Sequence, residues 1–455
     1  MRKFIFLFLL SSYIFAQLPE INVPYKRYVL KNGLNVLLHE DHTLPIVSVN
    51  TWYHVGSGNE KKGLTGFAHL FEHLMFEGSG HVAEGMFDSY LESAGGDNNG
   101  STTTDRTNYW ETVPTNALEL ALYLDSDRMG FLKDAMTPEK VDGQRSVVMN
   151  EKRQSVDNAP YGKAWENLMS NLFPEGHPYH HTTIESMEDL EAATYQDVLN
   201  FCETYYVPNN ASLAIAGDIN IEETIKLVEK YYNNIPSGKK VPPLNLMHAE
   251  LTEEKVVTLE DKVQLPRLYM AWLSPAQYLP GDCEMEILAY ILAGGKNSRL
   301  YKKLVYDLQI AQDVIAYQYN LKIGGSFIIE ATASEGVTLE KIKEEIQKEI
   351  NIIKENPPSK RELERAVNQF ESAFLNNLES VGGFGGKADL LNQFYFYTGN
   401  PDYFNESIAR YRAVSEKDIQ TYAVSYLKDN GRVVLSVVPE GKTDLAVKQN
   451  TKEVK

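Results

Sequence analysis

The chain is poor in cysteine: its 455 residues hold two, Cys202 and Cys283, far apart in the sequence. A disulfide framework is therefore excluded as the source of stability, and the sequence leaves open whether these two thiols pair or stay free. Long apolar runs are scarce as well. Beyond the first sixteen residues no stretch is long and apolar enough to span a bilayer, and the mean hydropathy of -0.34 excludes a multi-span membrane protein. The third shortage is of positive charge. Lys and Arg number 44 against 62 Asp and Glu, a net charge of -18, which repels nucleic acid and anionic lipid and favours cationic partners.

What is present suffices for a globular protein of more than one core. Hydrophobic residues make up 43% and charged residues 23%, and the length implies two to three domains at roughly 150 to 200 residues each. The start, MRKFIFLFLLSSYIFA, joins Arg2 and Lys3 to a short apolar stretch and then to small residues ending at Ala16. That order predicts a secretory signal peptide over residues 1–16 and export, to a periplasm or the medium. The apolar stretch is short for a membrane anchor.

The remainder repeats itself. DVLNFCETYYVPNNASLAIAGD at 197–218 matches DIQTYAVSYLKDNGRVVLSVVP at 418–439 without gaps, pairing Phe201 with Tyr422, Tyr205 with Tyr426 and Asn209 with Asn430. Upstream, HLFEHLMFEG (69–78) aligns with EILAYILAGG (286–295), and LPIVSVNTWY with LPRLYMAWLS. The expected organisation is thus one domain over 20–237, a Pro-rich charged linker over 238–259 and a homologous domain over 260–445. In each half, strands with alternating or continuous apolar patterns come first, amphipathic helices follow, and a strand closes the unit. This predicts an α+β fold of two homologous domains, each an antiparallel sheet with helices packed on one face.

GFAHLFEHLMFEG (66–78) places His69, Glu72 and His73 in an otherwise apolar run. On a helix, positions i, i+3 and i+4 share one face, so the three polar side chains point at one spot. At the matching places the second half has Glu286, Ala289 and Tyr290; the helix does not need His, Glu and His to fold. Two imidazoles one turn apart suit a tetrahedral zinc ion, and in the HxxEH pattern the glutamate is the base that accepts a proton from water. Gly78, after the run, suits a left-handed helix cap. A third ligand is required and is not fixed by this motif alone. His177, His180 and His181 in GHPYHHTT lie in a Pro-containing loop with no carboxylate frame, and VGGFGG (381–386) reads as a flexible turn.

Serial motifs extend the pattern over nearly the whole chain: LKNGLNVLLHEDHTLPIVSVNTWYHVGSGNE, the HxxEH helix with MFEGS, NNGSTTTDRTNYWETVP, VVMNEKRQSVDNAPYG, YYVPNNASLAIAGDI and GGKNSRLYKKLVYDLQIA. Together they resemble the pitrilysin or insulinase family of inverted-motif zinc peptidases, in particular its short, mitochondrial-processing-peptidase-like bacterial members. The resemblance implies a Zn2+ cofactor held by His69, His73 and Glu151, the last in QRSVVMNEKRQ after 77 intervening residues, with Glu72 as general base of peptide hydrolysis. It also implies that a peptide adds to the strand containing Asn99 and Gly100, which match an Asn-Ala pair there.

Three departures from the family pattern matter. A second glutamate often precedes the ligand by seven residues; here Gln144 stands in its place. An arginine and a tyrosine that help hold the substrate carbonyl are replaced by Val305 and Gln312. Because short relatives often work as pairs, the resemblance implies a heterodimer with a homologous subunit that supplies these groups. The resulting expectation is an exported zinc metalloendopeptidase of peptides or unfolded polypeptides, with cationic ones favoured by the net charge. The alternative is a non-catalytic structural or peptide-binding subunit of the same fold.

Overall fold

The computed structural model describes residues 20–184 and 186–448; the expected signal peptide lies outside them. Two sheets organise the chain. The first contains β1 (Lys26–Val29), β2 (Asn35–Glu40), β3 (Ile46–Tyr53), β4 (Asp97–Thr102), β5 (Thr107–Pro114) and β6 (Ala211–Gly217) in the order β1-β2-β6-β3-β5-β4. The second contains β7 (Lys255–Asp261), β8 (Arg267–Ser274), β9 (Ala311–Tyr319), β10 (Gly325–Ala333) and β11 (Val433–Pro439) in the order β7-β11-β8-β10-β9. With β1 set aside, the two orders are the same, and the sequence repeat is a repeat of topology.

The sheets are not wholly antiparallel. β6 runs parallel to β2 and antiparallel to β3, and β11 runs parallel to β7 and antiparallel to β8. The cause is insertion: the closing strand of each half returns from a helical stretch and enters between the two opening strands. Those two run in opposite directions, so the newcomer must be parallel to one of them.

β3, a central strand, is buried along nearly its whole length, and its alternation sorts side chains between two cores. Val47, Val49 and Tyr53 face the helices of the first half. The other face of this sheet offers small residues, Ala214 and Ala216, and receives Leu391, Phe394 and Phe404 from the second half, chiefly on the helix Lys387–Thr398. The exchange is mutual. Leu168, Met169 and Leu172 of the first half's helix Ala164–Leu172 cover Ala271, Ile328 and Leu435 on the second sheet. Burying one such side chain is worth about 1.5–3 kcal/mol, so each half stabilises the other. The two-sheet α+β plan holds, but helices lie on both faces of each sheet instead of one.

Cys202 and Cys283 are buried free thiols in different cores, and no bridge joins them. Among the described residues no helix is long and apolar enough to cross a membrane.

Candidate metal centre

The helix Phe67–Leu74 carries the motif. It starts at Gly66, whose φ of 87° puts it in the left-handed region and whose absent side chain leaves room for Leu190. The Glu60 carboxylate reaches forward to accept the N–H groups of Gly66 (2.9 Å) and Ala68 (2.8 Å). An anion at the positive end of the helix satisfies donors that have no partner within it. His181 Nε2 lies 3.2 Å from that carboxylate and 2.8 Å from Ser57 O, tying a loop histidine to the start of the helix. The other loop histidines do different work: His180 Nδ1 meets Phe173 O at 2.8 Å, and His177 accepts Tyr179 N–H at 3.0 Å. At the far end the helix closes on Met75 in right-handed conformation. Gly78, with φ 93°, shapes the turn joining Ser79 to Val82 and does not cap the helix.

His69 and His73 stand with ring centroids 4.8 Å apart and planes at 86°. Glu151 Oε2 approaches from the helix Pro138–Lys152, 3.3 Å from His73 Nε2 and 3.8 Å from His69 Nε2. Ligands about 2.0–2.1 Å from a tetrahedral zinc stand roughly 3.4 Å apart; the carboxylate oxygen is near that spacing from both imidazoles, and the three donor atoms lie within 4.8 Å of one another. Burial, helped by His73, pushes His69 down to about 4, which keeps the imidazole neutral and able to ligate at neutral pH. Its Nδ1 is buried without a protein partner. Just after Glu151 the helix widens into a π-type turn, Arg153–Asp157, and Lys152 is anchored to Glu166 at 2.8 Å. Gln144 is half-buried on the same helix. Lys140 donates to Glu77 O at 2.9 Å and lies 3.6 Å from Glu84.

Glu72 lies beside the three ligands. Burial raises its pKa, opposed first by a hydrogen bond from Thr102 Oγ1 to Oε2 of 2.5 Å. The sequence reading missed Thr102, a lone hydroxyl on a strand thirty residues away. Gly100 is on the same side of β4: a Cβ there would come within 3.2 Å of Glu72 Cγ, Phe76 and Tyr109. Asn99, paired with Trp110 across the sheet, points to the opposite face, and its Oδ1 accepts Gly100 N–H at 2.8 Å. The two predicted substrate contacts therefore serve different faces. β4 is an outer strand. The N–H groups of Asn98 and Gly100 bond to preceding side chains instead of to β5, so this edge is open to another strand. Val305 sits half-buried in a second π-type turn, Tyr301–Asp307, and Gln312 is exposed on β9 with Nε2 3.5 Å from Ser334 Oγ.

A two-sheet fold with two imidazoles and a carboxylate converging beside a half-buried glutamate defines a metallopeptidase-like class. Residues 35–184 match the family model described as Insulinase (Peptidase family M16), and residues 192–370 match Peptidase M16 inactive domain. The chain belongs to peptidase family M16. The Helicobacter pylori protein named zinc protease PqqE is 28% identical over 423 residues, covering 91% of this chain and 93% of that one. An Arabidopsis thaliana protein named probable mitochondrial-processing peptidase subunit beta is 23% identical over 432 residues, covering 92% and 79%. The crystal structure of a protease from Helicobacter pylori superposes with a TM-score of 0.84 at 26% identity, covering 92% of this chain and all of that one.

Proposed function

We propose that this chain is a zinc endopeptidase acting on peptides or unfolded polypeptides. The observation that carries the reading is the spacing of His69, His73 and Glu151 next to a glutamate that has its own hydrogen-bond donor. Zinc held by these three residues would supply Lewis acidity, which acidifies water and stabilises negative charge on a carbonyl oxygen. The protein's own groups do the remainder. Glu72 takes the proton from the attacking water and returns it to the leaving amine. Thr102 fixes the carboxylate that moves that proton. The substrate lies along β4 through main-chain hydrogen bonds at Asn98, Gly100 and Thr102, and the absent side chain of Gly100 lets it approach Glu72.

Pairing with a homologous, similarly exported subunit is part of the proposal. It is supported by Val305 and Gln312, where the family pattern has an arginine and a tyrosine, and by a relative whose name makes it a subunit. The leader-like residues 1–16 support export. A non-catalytic subunit is the second reading, favoured by the word inactive in the family model over 192–370. That match leaves the residues 69–151 untouched. A quenched-peptide assay with and without chelator tests the proposal: cleavage that disappears with chelator and returns with zinc supports it. A chain that binds zinc and never cleaves supports the second reading.

A further inference from the structure

The turn between β4 and β5 carries Arg106, which no step above uses. Its Nη1 donates to Ser101 O (2.8 Å), Ser101 Oγ (2.5 Å) and Asn108 Oδ1 (3.1 Å), and the guanidinium lies 5.0 Å over the Trp52 ring. Three bonds and an aromatic face hold it in one place. Arg128, Arg299, Arg410 and Arg432 each grip a carboxylate. Arg106 grips none. The acid that most favours its charge, Asp389, is occupied by Trp52 Nε1, Asn108 Nδ2, Asn50 Nδ2 and Gly385 N–H. Among the described residues Nε and Nη2 of Arg106 have no protein acceptor. A half-buried arginine, pinned through Nη1 and with free fork donors, is a fixed site for a carboxylate.

Its position decides whose carboxylate. Ser101 is on β4, and its side chain bonds to Asn108 on the face opposite Glu72, whereas Thr102, the next residue, bonds to Glu72. The open edge is thus flanked by Glu72 on one face and Arg106 on the other. In a strand added to that edge, side chains alternate between the two faces, and neighbours across a sheet stand close enough to interact. Tyr319 and Tyr397 of the second half also lie within the electrostatic reach of this guanidinium.

We infer that Arg106 is a specificity-determining subsite that selects an aspartate or glutamate on the peptide residue opposite Ser101, next to the residue facing Glu72. The inference rests on the peptidase reading for where the peptide lies. It also separates two scales of charge: the net charge of -18 governs approach and is screened by salt, whereas the pair at Arg106 is local and persists.

Short quenched peptides, each with one glutamate moved stepwise along the sequence and each matched by a glutamine and a lysine twin, test this with the zinc-loaded chain at low and high salt. The ratio of kcat/KM for glutamate over glutamine should reach about tenfold at a single position, at both salt concentrations. It should fall to about one in Arg106→Gln and reverse in favour of lysine in Arg106→Glu. The same labelled peptides are titrated by fluorescence anisotropy onto the Glu72→Gln chain, where the affinity ratio should match. If nothing is cleaved, the reading of the unpaired chain as a peptidase fails and anisotropy decides Arg106 alone. A ratio near one at every position in both assays, its survival in Arg106→Gln, or a preference for a free C-terminal carboxylate over its amide instead of a side chain, would overturn the inference.

Discussion

The helices Phe67–Leu74 and Asp282–Ala293 occupy equivalent places in the two halves, yet they enclose different chemistry. In the first half His69, Glu72 and His73 meet a carboxylate from another helix at an open strand edge. In the second, Glu286, Ala289 and Tyr290 stand at those places, and Tyr411 donates to Glu286 at 2.5 Å, closing the position with a hydroxyl from the helix Phe404–Ala413. Strand order survived the divergence; the site did not. A duplicated scaffold shows which residues folding demands and which it merely tolerates, and His69, Glu72 and His73 are of the second kind.

The sharpest way to break this comparison is Glu72→Gln. The ligand set survives while the group that carries the proton is lost, so turnover should fall by about a thousandfold with zinc content unchanged by elemental analysis. Cleavage near the parent's rate would remove Glu72 from the mechanism. Next in size is ligand loss. Glu151→Ala removes the one carboxylate among the ligands and should weaken zinc binding by about a hundredfold or more in a competition titration with a chromophoric chelator. Glu286→Gln, at the second half's counterpart of His69, should leave zinc affinity where it is; a drop in both variants would mean that the halves are coupled through the fold.

A smaller effect is expected from making the second half more like the family pattern. Val305→Arg combined with Gln312→Tyr restores the cation and the hydroxyl of the family pattern, which the proposed function has a partner subunit supply. One preorganised donor is commonly worth about 100-fold in kcat, and grafted groups recover part of that, so the isolated double variant should gain about tenfold. No gain would show that the cleft is complete without these groups.

The His69, Glu72, His73 motif was legible in the sequence because helical spacing is local: three polar residues at i, i+3 and i+4 stand out against Phe67, Leu70, Phe71 and Leu74, and the repeat supplies the contrast. Glu151 came from resemblance, since nothing local to it distinguishes it from other helix carboxylates. The parallel pairs β2·β6 and β7·β11 and the exchanged helices depend on contacts more than a hundred residues apart, and small Ala214 and Ala216 do not announce which helix will cover them. The opposite facing of Asn99 and Gly100 follows from the two-residue period of any strand; treating them as a pair overlooked it. Arg106 was invisible because its meaning lies in an absence, the missing carboxylate, which only coordinates reveal.

The finest test concerns the acid that replaced a ligand. Burial, with Asp282 adding to it, pushes Glu286 up to about 7, although Tyr411 and Asn320 donate to it and Arg410 offers a favourable charge. In the unfolded chain the same carboxyl titrates near its ordinary 4.5. The folded state therefore holds this proton longer than the unfolded state, and linkage gives the sign. Stability from the protonated acid is fully present below about pH 4.5 and is lost as pH rises through about 7. Glutamine keeps the shape and can accept from Tyr411 without a proton to lose. The parent should thus lose a few degrees of Tm relative to Glu286→Gln between pH 5 and pH 8, read as the difference between two calorimetric curves so that other titrating groups cancel. The equivalent change at His69 cannot behave this way, because burial pushes that group down to about 4 and a histidine so placed is already neutral across the same range. Parallel curves for parent and Glu286→Gln would mean that the second half's acid is ionised throughout, and that its place in the core is held by Arg410 and not by a shared proton with Tyr411.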